Sequence, residues 1–111
     1  MIILAKTFAL LDWLLRRVDT FPRSGRQAVT PRLTGAALDL QEALHQANAR
    51  AGAQRMSHLE AADAHLDNVR LYLRLAHQWQ WLSDGQYRHV SLMVAEVGRL
   101  LGGWKKQSAG R

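Results

Sequence analysis

Apolar residues recur at alternating three- and four-residue steps through most of this chain, and no stretch follows the two-residue period of a strand. Residues three and four apart share one face of a helix, so the pattern dictates amphipathic helices. The first segment, Ile2 to Thr20, repeats at Leu4, Phe8, Leu11, Leu15 and Val18, and Phe21-Pro22 ends it. The second repeats at Leu33, Ala37, Leu40, Leu44 and Ala47. Thr30 is its expected N-cap, Pro31 its first helical residue and Gly52 its stop. Between them, Arg23 to Val29 form either a link or an extra helical turn before Pro31. A third segment opens with the capping box Ser57-His58-Leu59-Glu60, repeats at Leu59, Ala62, Leu66, Val69, Leu73 and Ala76, and runs to Trp79. A second box, Ser83-Asp84-Gly85-Gln86, opens the fourth, which repeats at Tyr87, Val90, Val94, Val97, Leu101 and Trp104.

The fourth segment closes on Leu100-Leu101-Gly102-Gly103-Trp104-Lys105-Lys106. Glycine readily adopts the left-handed conformation that ends helices, so the pair is expected to stop the helix, with Trp104 folding back as an aromatic plug. Four amphipathic helices on short connections predict an all-α, antiparallel, up-down-up-down four-helix bundle. It forms a single domain over residues 1–106, with 107–111 as a flexible C-terminal tail. A chain of 111 residues, 48% hydrophobic, can build only a modest core, which oligomerisation would reinforce. The first segment also carries Ile2, Ile3, Ala9, Leu10, Trp13 and Leu14 outside its stripe, and the third adds Leu71, Tyr72 and Leu75. Surplus apolar surface of this kind points to a subunit interface.

Several functional classes fall away on composition. There is no cysteine, so disulfides and thiolate chemistry are excluded. The longest apolar stretch, Ile2 to Leu15, is broken by Lys6 and Asp12 and is too short to span a bilayer. Arg16 and Arg17 follow that stretch instead of preceding it, unlike a signal peptide, so a cytoplasmic location is expected. Attachment to a membrane surface is less economical than burying this helix between subunits. A two-metal bundle site needs paired Glu-x-x-His motifs and two further glutamates. Here Glu42-Ala43-Leu44-His45 is the single such motif, and Glu42, Glu60 and Glu96 are the only glutamates. One subunit therefore cannot complete the site, although subunits could share one; no metal and no cofactor is expected. His58 and His65 read as surface or interface residues. Neither a Ser-His-Asp arrangement nor a phosphate-cradling glycine loop stands out, and the chain is read as a non-enzyme.

Charge supplies the positive signal. The formal net charge is +6, and twelve of the fifteen basic residues are arginines, whose forked donors suit phosphate and carboxylate. An arginine bias of this kind equally reflects a genome rich in G and C. Bundle geometry gathers Arg16, Arg17, Arg23, Arg26, Arg32, Arg74 and Arg88 at one end, with His77. Between Arg16 and Arg32 the sole acid is Asp19. The other end gathers Lys6, Arg50, Arg55, Arg99, Lys105, Lys106 and Arg111. Those seven arginines are the candidate contact set for a polyanion or protein partner. The alternative reading is solvation, with Arg16 and Arg17 favouring a helix dipole and Arg70 and Arg74 pairing with Asp67 or facing water. Trp79, Trp81 and His89 can stack on unpaired bases or close the end of the core. No zinc finger, helix-turn-helix or RNA-recognition signature is present, so binding would follow shape and charge.

Four strings, in order, span nearly the whole chain: Thr7-Phe8-Ala9-Leu10-Leu11-Asp12-Trp13-Leu14-Leu15, Phe21-Pro22-Arg23-Ser24, Leu71-Tyr72-Leu73-Arg74-Leu75-Ala76 and Gly102-Gly103-Trp104. Together they resemble the accessory variability determinant (Avd) proteins of diversity-generating retroelements. The resemblance implies a ring-shaped homopentamer of four-helix bundles with a central opening. It also implies partners: the retroelement's reverse transcriptase and its template RNA, or DNA, in the mutagenic cDNA synthesis and retrohoming that diversify a target gene. Pro31 and the Ala-rich Ala47 to Ala53 linker depart from what the resemblance leads one to expect of the second helix. An alternative is a nucleic-acid-binding four-helix-bundle protein, like those of ribosomal RNA intervening sequences, without a polymerase partner.

Overall fold

Pro22 and Pro31 each interrupt a helix that would otherwise continue, because proline lacks the donor and crowds the preceding turn. The computed structural model describes residues 1–110 and shows five helices: α1 (Ile2–Val18), α2 (Arg23–Ala28), α3 (Thr30–Asn48), α4 (Gly52–Gln78) and α5 (Asp84–Ala109). No strand occurs among the described residues. The expectation of four helices is corrected to five, since the segment before Pro31 forms α2. Val29 between them is itself in the right-handed helical region, so α2 and α3 are nearly continuous. Thr30 is accordingly the first residue of α3, not its N-cap, and no side chain caps that end.

Long-range bonds fix the directions of the four long helices. Gln41 Nε2 donates to the Leu4 carbonyl at 3.4 Å, joining the later half of α3 to the start of α1. Arg55 Nε donates to the Ala47 carbonyl at 3.0 Å, joining the start of α4 to the end of α3. Lys105 meets Asp63 at 2.8 Å between α5 and α4. Each long helix thus runs antiparallel to its neighbours in the cycle α1, α3, α4, α5, with α2 packed on α3. The body measures 46 × 24 × 19 Å.

The stripes expected for α3 and α4 are buried throughout, as is that of α5 from Val90 to Trp104; Tyr87 is half-buried. The first helix differs. Its core face is Ile3, Thr7, Leu10, Leu11, Leu14 and Val18, whereas the expected Phe8 and Leu15 are exposed. Ile3, Leu10 and Leu14, expected outside the stripe, join the expected Leu11 and Val18 in the core, and Leu4 is half-buried. Two interleaved apolar stripes satisfy the same helical period, so periodicity alone does not choose between them.

Two helix boundaries also move. α4 starts at Gly52, leaving Ser57 inside the helix and exposed, so the expected first box is not a cap. The added turn is held by tertiary contact: besides bonding Ala47, the Arg55 guanidinium lies 5.8 Å from the centre of the Trp104 ring. α5, in turn, continues through Gly102-Gly103 and takes in Gln107 to Ala109 of the expected tail. Each glycine costs a helix about 1 kcal/mol relative to alanine. Leu101 and Trp104, one turn apart, are both buried on the core face, and that packing outweighs the cost.

Candidate nucleic-acid interface

At one end of the body the chain reverses twice, between α1 and α3 and between α4 and α5. Phe21, only 2% exposed, packs its ring 5.6 Å from that of Trp81, which ties the two reversals together. The Trp81 amide donates to the Ala76 carbonyl at 2.8 Å, and Gln80 turns the chain at a φ of 62°. Trp81 therefore closes the core, as does the buried Leu82 beside it. Trp79, at the C-cap of α4, is 65% exposed and open to solvent. The second box is real: Ser83 accepts from the Gln86 amide at 3.1 Å, while Gln86 accepts from the Ser83 amide at 3.0 Å.

The seven candidate arginines divide into two groups on this frame. Three are engaged. Arg16 pairs with Asp12 at 3.2 Å, one turn earlier on α1. Arg17 lies over the Trp13 ring at 5.2 Å, and Trp13 in turn meets His89 of α5 at 5.8 Å between ring centres. Its buried Nε finds no hydrogen-bond partner among the described residues. Arg26 donates to the carbonyls of Phe21, at 3.0 Å, and Asp19, satisfying acceptors just beyond the end of α1. Arg23, Arg32, Arg74 and Arg88 are exposed, and no described residue gives them a hydrogen bond or an ion pair. They stand on four different helices, α2, α3, α4 and α5, all near this end.

The opposite end is also rich in cations, but most are taken. Lys105 pairs with Asp63, whose hydrogen bond raises the Lys105 pKa. Arg99 pairs with Glu96 at 2.8 Å, and that hydrogen bond lowers the carboxyl's pKa and raises the guanidinium's. Arg50 bonds the Gln46 carbonyl and side chain, and Arg55 is docked on Ala47 and Trp104. Lys6 and Lys106 remain exposed, and Arg111 lies outside the described residues.

A helical protein with one open arginine end fits many families, and the whole-chain match decides among them: the bAvd-like family model covers residues 1–108. The chain belongs to the bAvd-like family. No curated protein matches it. In this bAvd-like chain, no group of three or more His, Cys, Asp or Glu side chains that could hold a metal ion occurs among the described residues. His45 of the Glu42-x-x-His45 motif instead shares a 3.0 Å hydrogen bond with Gln41. Among the described residues no helix is long and apolar enough to cross a membrane.

Sequence reasoning placed Arg74 with the other basic residues but missed its immediate setting in this bAvd-like fold. Arg70, Leu73 and Arg74 of α4 face Tyr87, Ser91, Val94 and Ala95 of α5 across a groove. Its signal in the sequence was faint. Only the four-residue steps Arg70 to Arg74 and Tyr87 to Ser91 to Ala95 mark the two walls, and both also fit a solvated face.

Proposed function

We propose that this bAvd-like protein is a non-enzymatic accessory protein of a diversity-generating retroelement. On this reading it is cytoplasmic and binds the reverse transcriptase and template RNA, supporting mutagenic cDNA synthesis and retrohoming. The observation that carries the nucleic-acid part is the open arginine end. Arg23, Arg32, Arg74 and Arg88 project from four helices with no described ion-pair partner, so their charge is available to phosphates. The exposed Trp79 adds an aromatic face beside them. Subunits, each a four-helix bundle with α2 as an elaboration, assemble into a homopentameric ring. Self-association is supported by large apolar side chains left in water: Ile2 and Phe8 on α1, Leu71 on α4 and Leu92 on α5.

The test is light scattering of the pure protein, alone and with a structured RNA, at low and high salt. A ring-sized oligomer that takes up RNA at low salt and releases it at high salt is expected. Replacing Arg23, Arg32, Arg74 and Arg88 together by Ala should reduce the logarithmic salt slope of binding by about 3, at roughly 0.7 per lost single-strand phosphate contact. The oligomer should persist. A monomer indifferent to RNA would end this reading. An oligomer that binds RNA but captures no reverse transcriptase would favour a bundle protein without a polymerase partner.

A further inference from the structure

The groove between α4 and α5 combines features that a merely solvated face does not need. Its floor is apolar, formed by Leu73 and Val94, both buried. Arg70 and Arg74 sit one helical turn apart on one wall, and Tyr87 and Ser91 stand on the other. Tyr87 is held in place. The His77 ring stacks on it with centres 4.2 Å apart and planes 4° apart, while His77 Nε2 meets Asp84 Oδ1 at 2.8 Å.

Arg70 has a prepared seat as well. A Cβ at Gly98 would lie 2.5 Å from Arg70 Nη2, so the guanidinium crosses the helix where a side chain is missing. Gly98 lies in the interior of α5, where glycine is intrinsically unfavourable. Arg70 Nη1 donates to Asp67 at 2.8 Å, an exposed pair that shares part of the cation's charge and occupies one of five guanidinium donors, while no other described residue bonds the rest. Among the described residues nothing bonds Arg74.

We infer that this groove seats one nucleotide of single-stranded RNA, its phosphate between Arg70 and Arg74 and its base against Tyr87 and the apolar floor. The inference rests on the proposed RNA-binding role and adds to it a specific subsite, extending the contact set to Arg70, Tyr87 and Ser91. The carboxylates of an acidic peptide would engage the two guanidinium groups and the Ser91 hydroxyl but have no use for an aromatic ring face. A nucleotide uses the cations, the hydroxyl and the fixed ring together. A paired base would offer its ring face to its neighbours in the helix, so the seat selects unpaired RNA.

Fluorescence anisotropy with labelled oligouridine and with a labelled RNA duplex tests this, using the full chain and three variants: Arg70→Gln, Tyr87→Leu and Gly98→Ala. R70Q and Y87L should each weaken oligouridine binding by about tenfold and change duplex binding little. G98A is the diagnostic variant, because it keeps every charge but makes the Arg70 guanidinium shift from its place over the helix. Its melting temperature should rise, as alanine replaces a helical glycine, while oligouridine binding falls. Melting curves of R70Q and Y87L verify that a loss of binding is not a loss of fold. If all three variants bind oligouridine like the parent while the fourfold arginine variant does not, the groove is not the seat and the accessory role stands. If polyglutamate competes as well as oligouridine does, the groove is a peptide site and the inference fails. A parent protein that binds no RNA at all overturns both.

Discussion

The two ends of this molecule carry similar numbers of cations and put them to different uses. At the end where α4 meets α5, Arg23, Arg32, Arg74 and Arg88 are open. At the end holding the termini, Asp63 and Glu96 neutralise Lys105 and Arg99, while Ala47 and Trp104 occupy Arg55. Charge counting treats the two alike. Available charge depends on where the acids stand in space, and Asp63 reaches Lys105 across 42 residues of sequence.

The most severe way to break the contrast is through the aromatic plugs. Phe21→Ala should cost about 3–5 kcal/mol, the usual range for emptying a buried aromatic site. It should also loosen the link between the two reversals that positions the open arginines. Trp104→Ala, at the other end and 8% exposed, should destabilise comparably. Chemical denaturation would show both losses, but at temperatures where both variants remain folded only F21A should weaken RNA binding. Equal loss of RNA affinity in W104A would mean that the ends do not differ in function.

A milder change attacks the contrast from the other side. Asp63→Asn with Glu96→Gln releases Lys105 and Arg99, and should steepen the logarithmic salt slope of RNA binding by up to about 1.4. Stability should change little, because both pairs lie at the surface. The Glu96 carboxyl, held below 4.5 mainly by its hydrogen bond from Arg99, sets the pH window of one pair. A lowered folded pKa contributes stability above 4.5 that is lost as pH falls through the lowered value, so this pair stays closed near neutrality. An unchanged salt slope in D63N/E96Q would show that the neutralised cations never faced nucleic acid.

The same two ends show what the sequence makes legible. The stripes of α3 and α4 stand out because polar residues flank them, leaving one face to bury, and Ser83-Asp84-Gly85-Gln86 carries its capping chemistry locally. Apolar residues nearly encircle α1, and its core face is chosen by packing against α3 and α5, which no local pattern encodes. The glycines at 102 and 103 resemble a stop, yet Leu101 and Trp104 on the core face override them. For the candidate interface, clustering of arginines near one end was readable from connection geometry. Which of them are spent was not: Arg26 bonds carbonyls five and seven residues back, and Arg17 shares Trp13 with His89 from another helix.

The finest difference between the ends lies in their tight turns. Each contains one residue in the left-handed region: Gly52 at a φ of 60° and Gln80 at a φ of 62°. Glycine occupies that region without a steric penalty, whereas a side chain's Cβ crowds the following carbonyl at a cost of about 1–2 kcal/mol. Gln80→Gly should therefore stabilise, but by less than this, because glycine also gains freedom in the unfolded chain. The net expectation is about 0.5–1 kcal/mol, read as a small rise in melting temperature. Gly52→Gln should destabilise by about 1 kcal/mol, although nothing lies within 4 Å of its missing Cβ, because the penalty is conformational and not a matter of space. If Q80G lowered the melting temperature instead, the Gln80 side chain would be making a contact worth more than the strain. That would assign the arginine-rich end a stabilising interaction that Gly52, lacking a side chain, cannot supply at the other.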